Sequence, residues 1–297
     1  MKLFFILYDG RSGSTYISKL IAESSAVLIP HESNFIHTIA NHFGTKSIQK
    51  EELEDLFTKI LEEEKFRDWE LSKRDLLNLF ANTQYPIDAA FLITEILDYY
   101  QKQEGGFLAV GIKKGAYLKI YDYLWSMFPE AKFIFITRDG RAVYGSKKKG
   151  HLLRHGKAFL TDPQAGAIKW TGIQRKFSYL AKNEGRTLKI KYEDVITQPD
   201  KKIRQILNFL EVPYGGKGKI QVARRLNQLH SNINEKPLME RIHSWKSELN
   251  ASEILKFEAF SYPMLENEGY ELINSKLKLK LYRLCFKLLN RSAKRKK

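Results

Sequence analysis

Residues 3–20 place an apolar run directly before a short loop of glycine, serine and arginine, and that loop directly before a helical pattern. The apolar run predicts a buried β-strand. A helix N-terminus has backbone N–H groups without intrahelical partners and the positive end of the macrodipole, so it attracts phosphate or sulfate. The segment therefore predicts a strand, an anion-binding loop and a helix in immediate succession.

The loop contains the residue types that bind anions. Glycine lets the backbone approach a ligand closely, hydroxyl side chains donate hydrogen bonds, and arginine offers a fixed positive fork. In order, these residues are Gly10, Arg11, Ser12, Gly13, Ser14 and Thr15. The nucleotide-triphosphatase pattern G-x-x-x-x-G-K-S/T needs a lysine after the second glycine, and Ser14 stands there instead. A magnesium-dependent triphosphatase is therefore not favoured, and an ordinary helix cap is the alternative to a phosphate or sulfate site.

Apolar runs that predict strands alternate along the chain with segments of helical spacing. Further strands are predicted at 26–29, 107–112, 132–137 and 187–192, and helices at 47–65, 72–81, 87–103, 117–128, from 140, 162–184 and 199–210. This alternation predicts an α/β chain with a P-loop-like three-layer fold, in which a central, mostly parallel sheet is flanked by helices. Ligands in such folds bind at the carboxyl ends of the strands, where residues 9–15, 113–114 and 138–146 lie.

Composition narrows the function classes. The net charge of +16 suits nucleic acid, an anionic membrane or a polyanionic ligand, but no familiar nucleic-acid-binding motif accompanies it, so no nucleic-acid partner is predicted. The single cysteine, Cys285, excludes an internal disulfide, and the seven histidines are scattered. We therefore expect no metal site and a reducing, cytoplasmic compartment. The sequence contains no run of about 18 apolar residues, so no transmembrane helix is predicted.

A second candidate anion site begins where the strand at 132–137 ends. Ser146 follows Arg138 by eight positions, about two helical turns. The guanidinium and the hydroxyl can therefore converge on one phosphate. The alternative is a strand-end ion pair between Arg138 and Asp139, beside a serine on the helix surface.

Together these two segments resemble the sulfotransferases that use 3′-phosphoadenosine 5′-phosphosulfate (PAPS). Residues 11–15 match that family's pattern of a basic residue, a hydroxyl residue, glycine and two hydroxyl residues, which holds the 5′-phosphosulfate. Residues 138–146 match its R-D/N-x-R-x-x-x-x-S segment, which holds the 3′-phosphate. Shorter likenesses follow in the family's order at 128–134, 191–195, 203–210, 241–246 and 268–270. Arginine at position 11 is more similar to the carbohydrate, tyrosylprotein and bacterial branches than to the cytosolic small-molecule enzymes.

The resemblance implies an enzyme that transfers a sulfuryl group from PAPS, its co-substrate, to an acceptor hydroxyl by in-line displacement without a metal. A hydroxyl of a carbohydrate or glycolipid is the expected acceptor. Three alternatives stay open: transfer to a tyrosyl or small-molecule hydroxyl, a P-loop kinase-like phosphotransferase, and a non-catalytic module that binds polyanions. The missing lysine after Gly13 argues against the kinase, and the presence of both anion segments argues against the non-catalytic module.

The resemblance also assigns catalytic roles. Arg11 and the loop amides would face the leaving-group oxygen, and Lys113, with Lys114 as its rival, would contact the transferring group. The histidine that other members carry two residues after that lysine is absent here. In the tyrosylprotein branch the base is a glutamate about two dozen residues after the loop arginine, and Glu32, which follows Arg11 by 21 residues, resembles it, with His31 as the second choice. Basic neighbours lower the pKa of a carboxyl and burial raises it, and the sequence leaves that balance open. Exposed loop residues are the structural alternative for these side chains.

The predicted PAPS-binding set extends beyond the two segments. It comprises Arg11, Ser12, Gly13, Ser14, Thr15, Arg138, Ser146, Tyr192, Arg241 and Lys246. Tyr192 follows a strand end, where it can contact the adenine, although a core position is equally consistent with its type. Residues 241–246 are expected to form a loop over the nucleotide.

The resemblance covers residues 1–272, which we expect to form one sulfotransferase domain with a helical insertion at about 47–103. Residues 273–297 are expected to form a basic amphipathic tail. Its leucines recur at helical spacing, as Leu277, Leu281, Leu284 and Leu288, between lysines and arginines. Such a helix suits the anionic inner face of a membrane, as a peripheral contact, or packs its leucine stripe on the protein itself.

Overall fold

The computed structural model describes residues 1–23, 26–155, 162–183, 185–215 and 239–294. Within them, five strands form one sheet: β1 Lys2–Tyr8, β2 Val27–Leu28, β3 Ala109–Lys113, β4 Lys132–Thr137 and β5 Thr187–Lys191. Their order is β2-β3-β1-β4-β5, and every neighbouring pair is parallel. The chain therefore builds the sheet first on one side of β1 and then on the other. In open parallel sheets ligands bind beside such a reversal, at the carboxyl ends of the strands, and in this chain that place is the carboxyl end of β1.

The central strand β1 is apolar on both faces because helices cover both. Phe5 and Leu7 belong to a buried cluster formed with helices of residues 35–103 and 121–127. Phe4 and Ile6 belong to a second cluster on the opposite face, with apolar residues from 17–21 and 195–212. Successive residues of a strand point to opposite faces, so a continuous apolar run suits a strand buried on both sides. The three-layer α/β fold predicted from the sequence is confirmed.

The helices follow the predicted segments closely. They are α1 Ser14–Glu23, α2 Phe35–Phe43, α3 Leu53–Glu62, α4 Glu64–Arg67, α5 Lys73–Leu79, α6 Ala89–Gln103, α7 Tyr121–Met127, α8 Gly140–His155, α9 Pro163–Leu180, α10 Tyr192–Thr197, α11 Pro199–Leu210, α12 Glu240–His243, α13 Trp245–Glu248, α14 Ala251–Asn267 and α15 Lys276–Lys294, with 3-10 helices at Lys50–Glu52 and Gly115–Ile120. Tyr192, predicted as a strand residue, instead begins α10. The sequence analysis missed α2 and α14, and α14 contains a proline, which argues against a helix interior. The expected loop at 241–246 is instead formed largely by the short helices α12 and α13.

The helical segment 47–103 shares its core with the sheet. Phe57 and Phe66 lie in the same buried cluster as Phe5 of the central strand. Trp69 stacks on Tyr100 at 4.6 Å between ring centroids, which ties α6 to the turn after α4. This packing fixes the segment against the rest of the fold, so that its loops lie beside the carboxyl end of β1.

A buried ion network connects the turn after β4 to the C-terminal helices. Arg141 is 2% exposed, and its guanidinium donates to the carboxylates of Asp139 at 2.7 Å and Glu258 at 2.6 Å. Glu258, on α14, also accepts hydrogen bonds at 3.0 Å from the backbone N–H groups of Ile273 and Asn274. The segment that leads into α15 is therefore bonded to the body of the protein.

The C-terminal helix α15 packs on α14, but not through the predicted leucine stripe. Leu279 is fully buried, and the rings of Phe286 and Phe260 lie 5.3 Å apart. The stripe leucines are instead all more than half exposed: Leu277, Leu281, Leu284 and Leu288. Residues 295–297, the end of the predicted tail, lie outside the described residues.

Candidate functional site

Four of the five strands bring polar segments to one edge of the sheet. Lys113 ends β3 beside Ile6 of β1, and Thr137, which precedes Arg138, pairs with Lys191 of β5, which precedes Tyr192. Because the strands are parallel, their carboxyl ends lie at the same edge. The loop after β1, at residues 9–13, opens α1 at this edge.

The loop at residues 9–13 holds an unusual backbone conformation. The N–H of Ser12 donates to the carbonyl of Asp9 at 3.1 Å, which closes a tight turn. Arg11 has a φ of +75° and Gly13 a φ of +79°. A Cβ at position 13 would overlap the ring of Tyr192, whereas a Cβ at position 10 would meet open space. The close approach of this backbone to Tyr192 therefore depends on Gly13, and the approach to a ligand predicted for Gly10 stays a prediction.

The left-handed conformation of Arg11 carries a cost. A positive φ costs a residue with a Cβ about 1–3 kcal/mol and persists only where the surrounding structure enforces it, and such residues cluster at functional sites. The turn directs the guanidinium of Arg11 across the sheet edge, where its Nε donates to Ser146 Oγ at 3.0 Å. Arg138 Nη1 in turn donates to the carbonyl of Arg11 at 3.2 Å. The two segments that the sequence singled out are thus in direct contact.

Arg138 is buried and surrounded by the other residues of the candidate nucleotide site. Its Nη2 donates to the carbonyl of Arg241 at 2.7 Å, and its guanidinium carbon lies 4.5 Å from the ring centre of Tyr192. Its Nε is buried and has no hydrogen-bond partner among the described residues. Asp139, the alternative partner, is instead paired with Arg141 at 2.7 Å. Burial raises the pKa of Tyr192 despite the opposing charges of Arg138 and Arg241, so the ring is neutral at physiological pH.

The predicted base lies in a compact cluster with one cation. Glu32 Oε1 lies 2.7 Å from Lys113 Nζ and accepts a hydrogen bond of 2.7 Å from the hydroxyl of Tyr8. Lys113 is 5% exposed, and its Nζ also donates to Thr15 Oγ1 at 3.3 Å. Thr15 belongs to the first turn of α1, while Ser14 bonds to the hydroxyl of Tyr8. One ammonium group therefore contacts both the carboxylate and the first turn of α1.

The charge state of Glu32 follows from two opposing effects. Burial alone would raise the pKa of Glu32, but the ion pair and hydrogen bond with Lys113, assisted by the Tyr8 hydroxyl, outweigh it and hold the pKa below its usual value. Burial and the adjacent carboxylate raise the pKa of Tyr8. Glu32 is therefore an ionised acceptor at neutral pH, and Tyr8 remains a donor to it.

The helical segment 47–103 fixes the loop that carries Glu32. Ser33 Oγ and the N–H of Asn34 donate to the carboxylate of Glu63, at 2.6 Å and 2.7 Å. Trp69 Nε1 donates to the carbonyl of His31 at 3.0 Å. Side chains of this segment therefore hold the residues on both sides of Glu32 in place.

The remaining candidates lie farther from this cluster or differ in partner. His31 Nδ1 lies 2.7 Å from a carboxylate oxygen of Asp68, so its ring is directed to the segment 47–103. Lys114 is about nine-tenths buried, and burial together with the charge of Lys65 lowers its pKa. Lys246 is exposed, with its ammonium 5.8 Å from the ring centre of Trp245. The described contacts do not join Lys246 to the cluster around Arg138.

Three residues of the site were missed in the sequence. Tyr8 is the last residue of β1, so the strand-end rule that selected its neighbours could have selected it as well. Glu63 and Trp69 had no such signal, because their contacts to residues 31–34 join positions about thirty to forty apart. In the described part of the chain, no group of three or more histidine, cysteine or carboxylate side chains is arranged to hold a metal ion.

Comparisons with known proteins agree with this geometry. The family profile described as "Sulfotransferase family" matches residues 4–215. Protein-tyrosine sulfotransferase 1 of Danio rerio is 27% identical over 169 residues, which cover 52% of this chain and 46% of that protein. A putative protein-tyrosine sulfotransferase of Caenorhabditis briggsae is 33% identical over 100 residues, 32% of this chain and 35% of the relative. The chain thus matches less than half the length of either relative.

Solved structures show the same fold. The sulfotransferase domain of the olefin synthase from Synechococcus PCC 7002 superposes with a TM-score of 0.63 at 21% identity, covering 92% of this chain and 96% of that domain. The sulfotransferase domain from the curacin biosynthetic pathway gives a TM-score of 0.56 at 17% identity, covering 91% and 98%. At these identities the likeness concerns the fold alone.

Replacing Lys113 should raise the pKa of Glu32. Lys113→Met removes the ammonium that opposes the effect of burial, so we expect the pKa of Glu32 to rise above its usual value. The measurement is an NMR titration of the carboxyl carbon. Lys65→Met is the matched control, because Lys65 is exposed and acts on Glu32 only as a weaker, longer-range charge. An equal shift in both variants would contradict the ion pair as the dominant cause.

Proposed function

This chain belongs to the sulfotransferase family, and we propose that it transfers a sulfuryl group from PAPS to an acceptor hydroxyl. The observation that carries the proposal is the position of Lys113, whose ammonium contacts both Glu32 at 2.7 Å and Thr15 at 3.3 Å. A base for the acceptor and a loop for the donor anion are thus joined through one cation. Transfer of an anionic group between two oxygens needs this juxtaposition.

Two features of the site fit the nucleotide. Gly13 brings the backbone against Tyr192, where a side chain would overlap the ring, and so sets the turn that opens α1 at the end that attracts an anion. Arg138 is buried with an unused Nε among the described residues, a donor that a phosphate oxygen can satisfy. We assign the 5′ end of PAPS to residues 11–15 and the 3′-phosphate to Arg138 and Ser146, with Tyr192 and Arg241 beside them.

The residues of the site have different roles in the transfer. PAPS supplies an activated sulfuryl group, and its transfer to the acceptor oxygen releases adenosine 3′,5′-bisphosphate and one proton. Glu32, ionised by its contact with Lys113, accepts that proton from the acceptor hydroxyl. Lys113 and Arg11 place positive charge next to the N-terminus of α1, where it stabilises the negative charge that develops on the donor side.

A tyrosyl hydroxyl is the acceptor that we propose first. The lowered pKa of Glu32 makes it a weak base, and a phenol, with a pKa near 10, releases its proton far more readily than an alcohol does. The matched relatives from Danio rerio and Caenorhabditis briggsae are named as protein-tyrosine sulfotransferases, which supports the same choice. The carbohydrate or glycolipid hydroxyl expected from the sequence stays a prediction and is the second candidate.

Arg138→Lys should weaken binding of adenosine 3′,5′-bisphosphate by about tenfold or more, because lysine keeps the charge but loses the planar fork. Arg175→Lys, on the exposed surface of α9, is the control and should bind as the unchanged protein does. The measurement is a calorimetric titration without divalent metal. Unchanged affinity in Arg138→Lys would remove this residue from the site.

The unchanged protein is also titrated with other ligands. Binding of ATP with magnesium alone would support the kinase-like alternative, and binding of RNA alone would support the non-catalytic alternative.

Glu32→Gln should lower the turnover number by about 100-fold or more while leaving the affinity for adenosine 3′,5′-bisphosphate nearly unchanged, because glutamine keeps an oxygen that can accept from Lys113 and Tyr8 but cannot take up the proton. His31→Gln is the control, since its ring contacts Asp68 rather than the Lys113 cluster. Turnover is measured with labelled PAPS under saturating acceptor. Full activity of Glu32→Gln together with an inactive His31→Gln would assign the base to His31.

A panel of acceptors tests the choice of hydroxyl. With labelled PAPS, we expect transfer to a tyrosine-containing peptide and none to the same peptide with phenylalanine in place of tyrosine. Oligosaccharides and a glycolipid are assayed in parallel at equal concentration. Transfer to the sugars alone would replace the first candidate acceptor by the second, and transfer to neither class would contradict both.

A further inference from the structure

The C-terminal helix α15 has two apolar faces, and the protein covers one of them. Leu279 is fully buried, and Phe286 packs edge-on against Phe260 of α14 with ring centres 5.3 Å apart. The start of the helix is held by the hydrogen bonds of Ile273 and Asn274 to Glu258. The helix is therefore attached to the body of the protein along one side.

The opposite side of α15 exposes a line of leucines, which we call the leucine stripe. Its members, with their exposed fractions, are Leu277 (69%), Leu281 (53%), Leu284 (56%) and Leu288 (56%). Spacings of four, three and four residues place these side chains one above another on a single helix face. A single exposed leucine needs no explanation, but a contiguous exposed line of them indicates a partner.

The charges around the leucine stripe indicate which kind of partner it would bind. Residues 276–297 contain ten lysines and arginines and no acidic residue. Lys278, Lys280 and Lys287 are exposed and lie beside the stripe in the helical sequence. An apolar stripe bordered by lysines matches the boundary between the anionic headgroups and acyl chains of a lipid bilayer.

A second copy of the chain fits this surface less well. Leucines spaced by four, three and four residues can form the seam of a two-helix coiled coil. Of the four positions that flank that seam, however, three are lysines, Lys278, Lys280 and Lys287, and the fourth is Cys285, so both helices would bring positive charge to the seam and no carboxylate to pair with it. Like charges at these positions oppose association, whereas the same lysines favour an anionic surface.

We propose that α15 binds the surface of an anionic membrane, with the leucine stripe inserted below the headgroups and the neighbouring lysines in contact with lipid phosphates. None of the helices in the described ranges is long and apolar enough to cross a bilayer, so the contact lies in the plane of the interface. Because the other face of α15 remains on α14, the whole protein is held at the membrane. This surface is independent of the proposed sulfuryl transfer and does not use its residues.

The test is flotation of the full chain with vesicles. One set contains equal parts of phosphatidylglycerol and phosphatidylcholine, and the other contains phosphatidylcholine alone. We expect the protein to float with the anionic vesicles and much less with the neutral ones. The double variant Leu281→Ser with Leu284→Ser should reduce the bound fraction by about tenfold or more. Its matched control is Leu108→Ser with Ile168→Ser, two apolar residues of the same exposure, 52% and 55%, on other surfaces.

Several outcomes would overturn the proposal. These are absence of binding to the anionic vesicles, equal loss in both double variants, or binding to both vesicle sets without a preference. A concentration-dependent dimer, seen by light scattering without lipid and lost in Leu281→Ser with Leu284→Ser, would instead assign the stripe to a second copy. Equal melting temperatures of the two double variants establish that a loss of binding is not a loss of folding. Sulfate transfer in solution is assayed separately, so failure of either proposal leaves the other intact.

Discussion

The ion pair between Lys113 and Glu32 connects elements that are far apart in the chain. Lys113 ends β3, Glu32 lies in the loop after β2, and the same ammonium group reaches Thr15 in the first turn of α1. Two buried charges taken out of water are stable only when they are paired and further hydrogen-bonded. Tyr8 and Thr15 provide those bonds. The contacts of Lys113 with Glu32 and Thr15 therefore stabilise two charges that are largely withdrawn from water at the carboxyl edge of the sheet.

The helical segment 47–103 borders the site and also fixes the loop that carries Glu32. Glu63 and Trp69 hold the residues on either side of Glu32 by hydrogen bonds, and the segment is itself fixed because its aromatic residues share a core with β1. A base on an untethered loop would lose part of its activity to misplacement. The core packing of this segment thus determines the position of a proposed catalytic group.

The local patterns of the sequence predicted the anion loop, the alternating strands and helices, and the segment from Arg138 to Ser146. They predicted these because a strand, a helix start and a loop composition depend on near neighbours. The features that the sequence analysis missed depend on contacts between distant residues or on local signals that conflict. The helix α14 contains Pro263, which its packing tolerates, and Tyr192 begins a helix rather than ending a strand. Glu63 and Trp69 act on residues that only the folded chain brings near.

The sequence by itself determined that the chain is an α/β protein and predicted two anion-binding segments, since that information is carried in short stretches of residues. The tertiary structure alone decided which of two adjacent lysines faces Glu32, because neighbouring residues at a strand end point to opposite sides. It also decided that Glu32 rather than His31 joins Lys113, and that Leu279 rather than the leucine stripe packs on α14. Each of these choices depends on the direction of a side chain relative to a distant surface, and no local pattern specifies that direction.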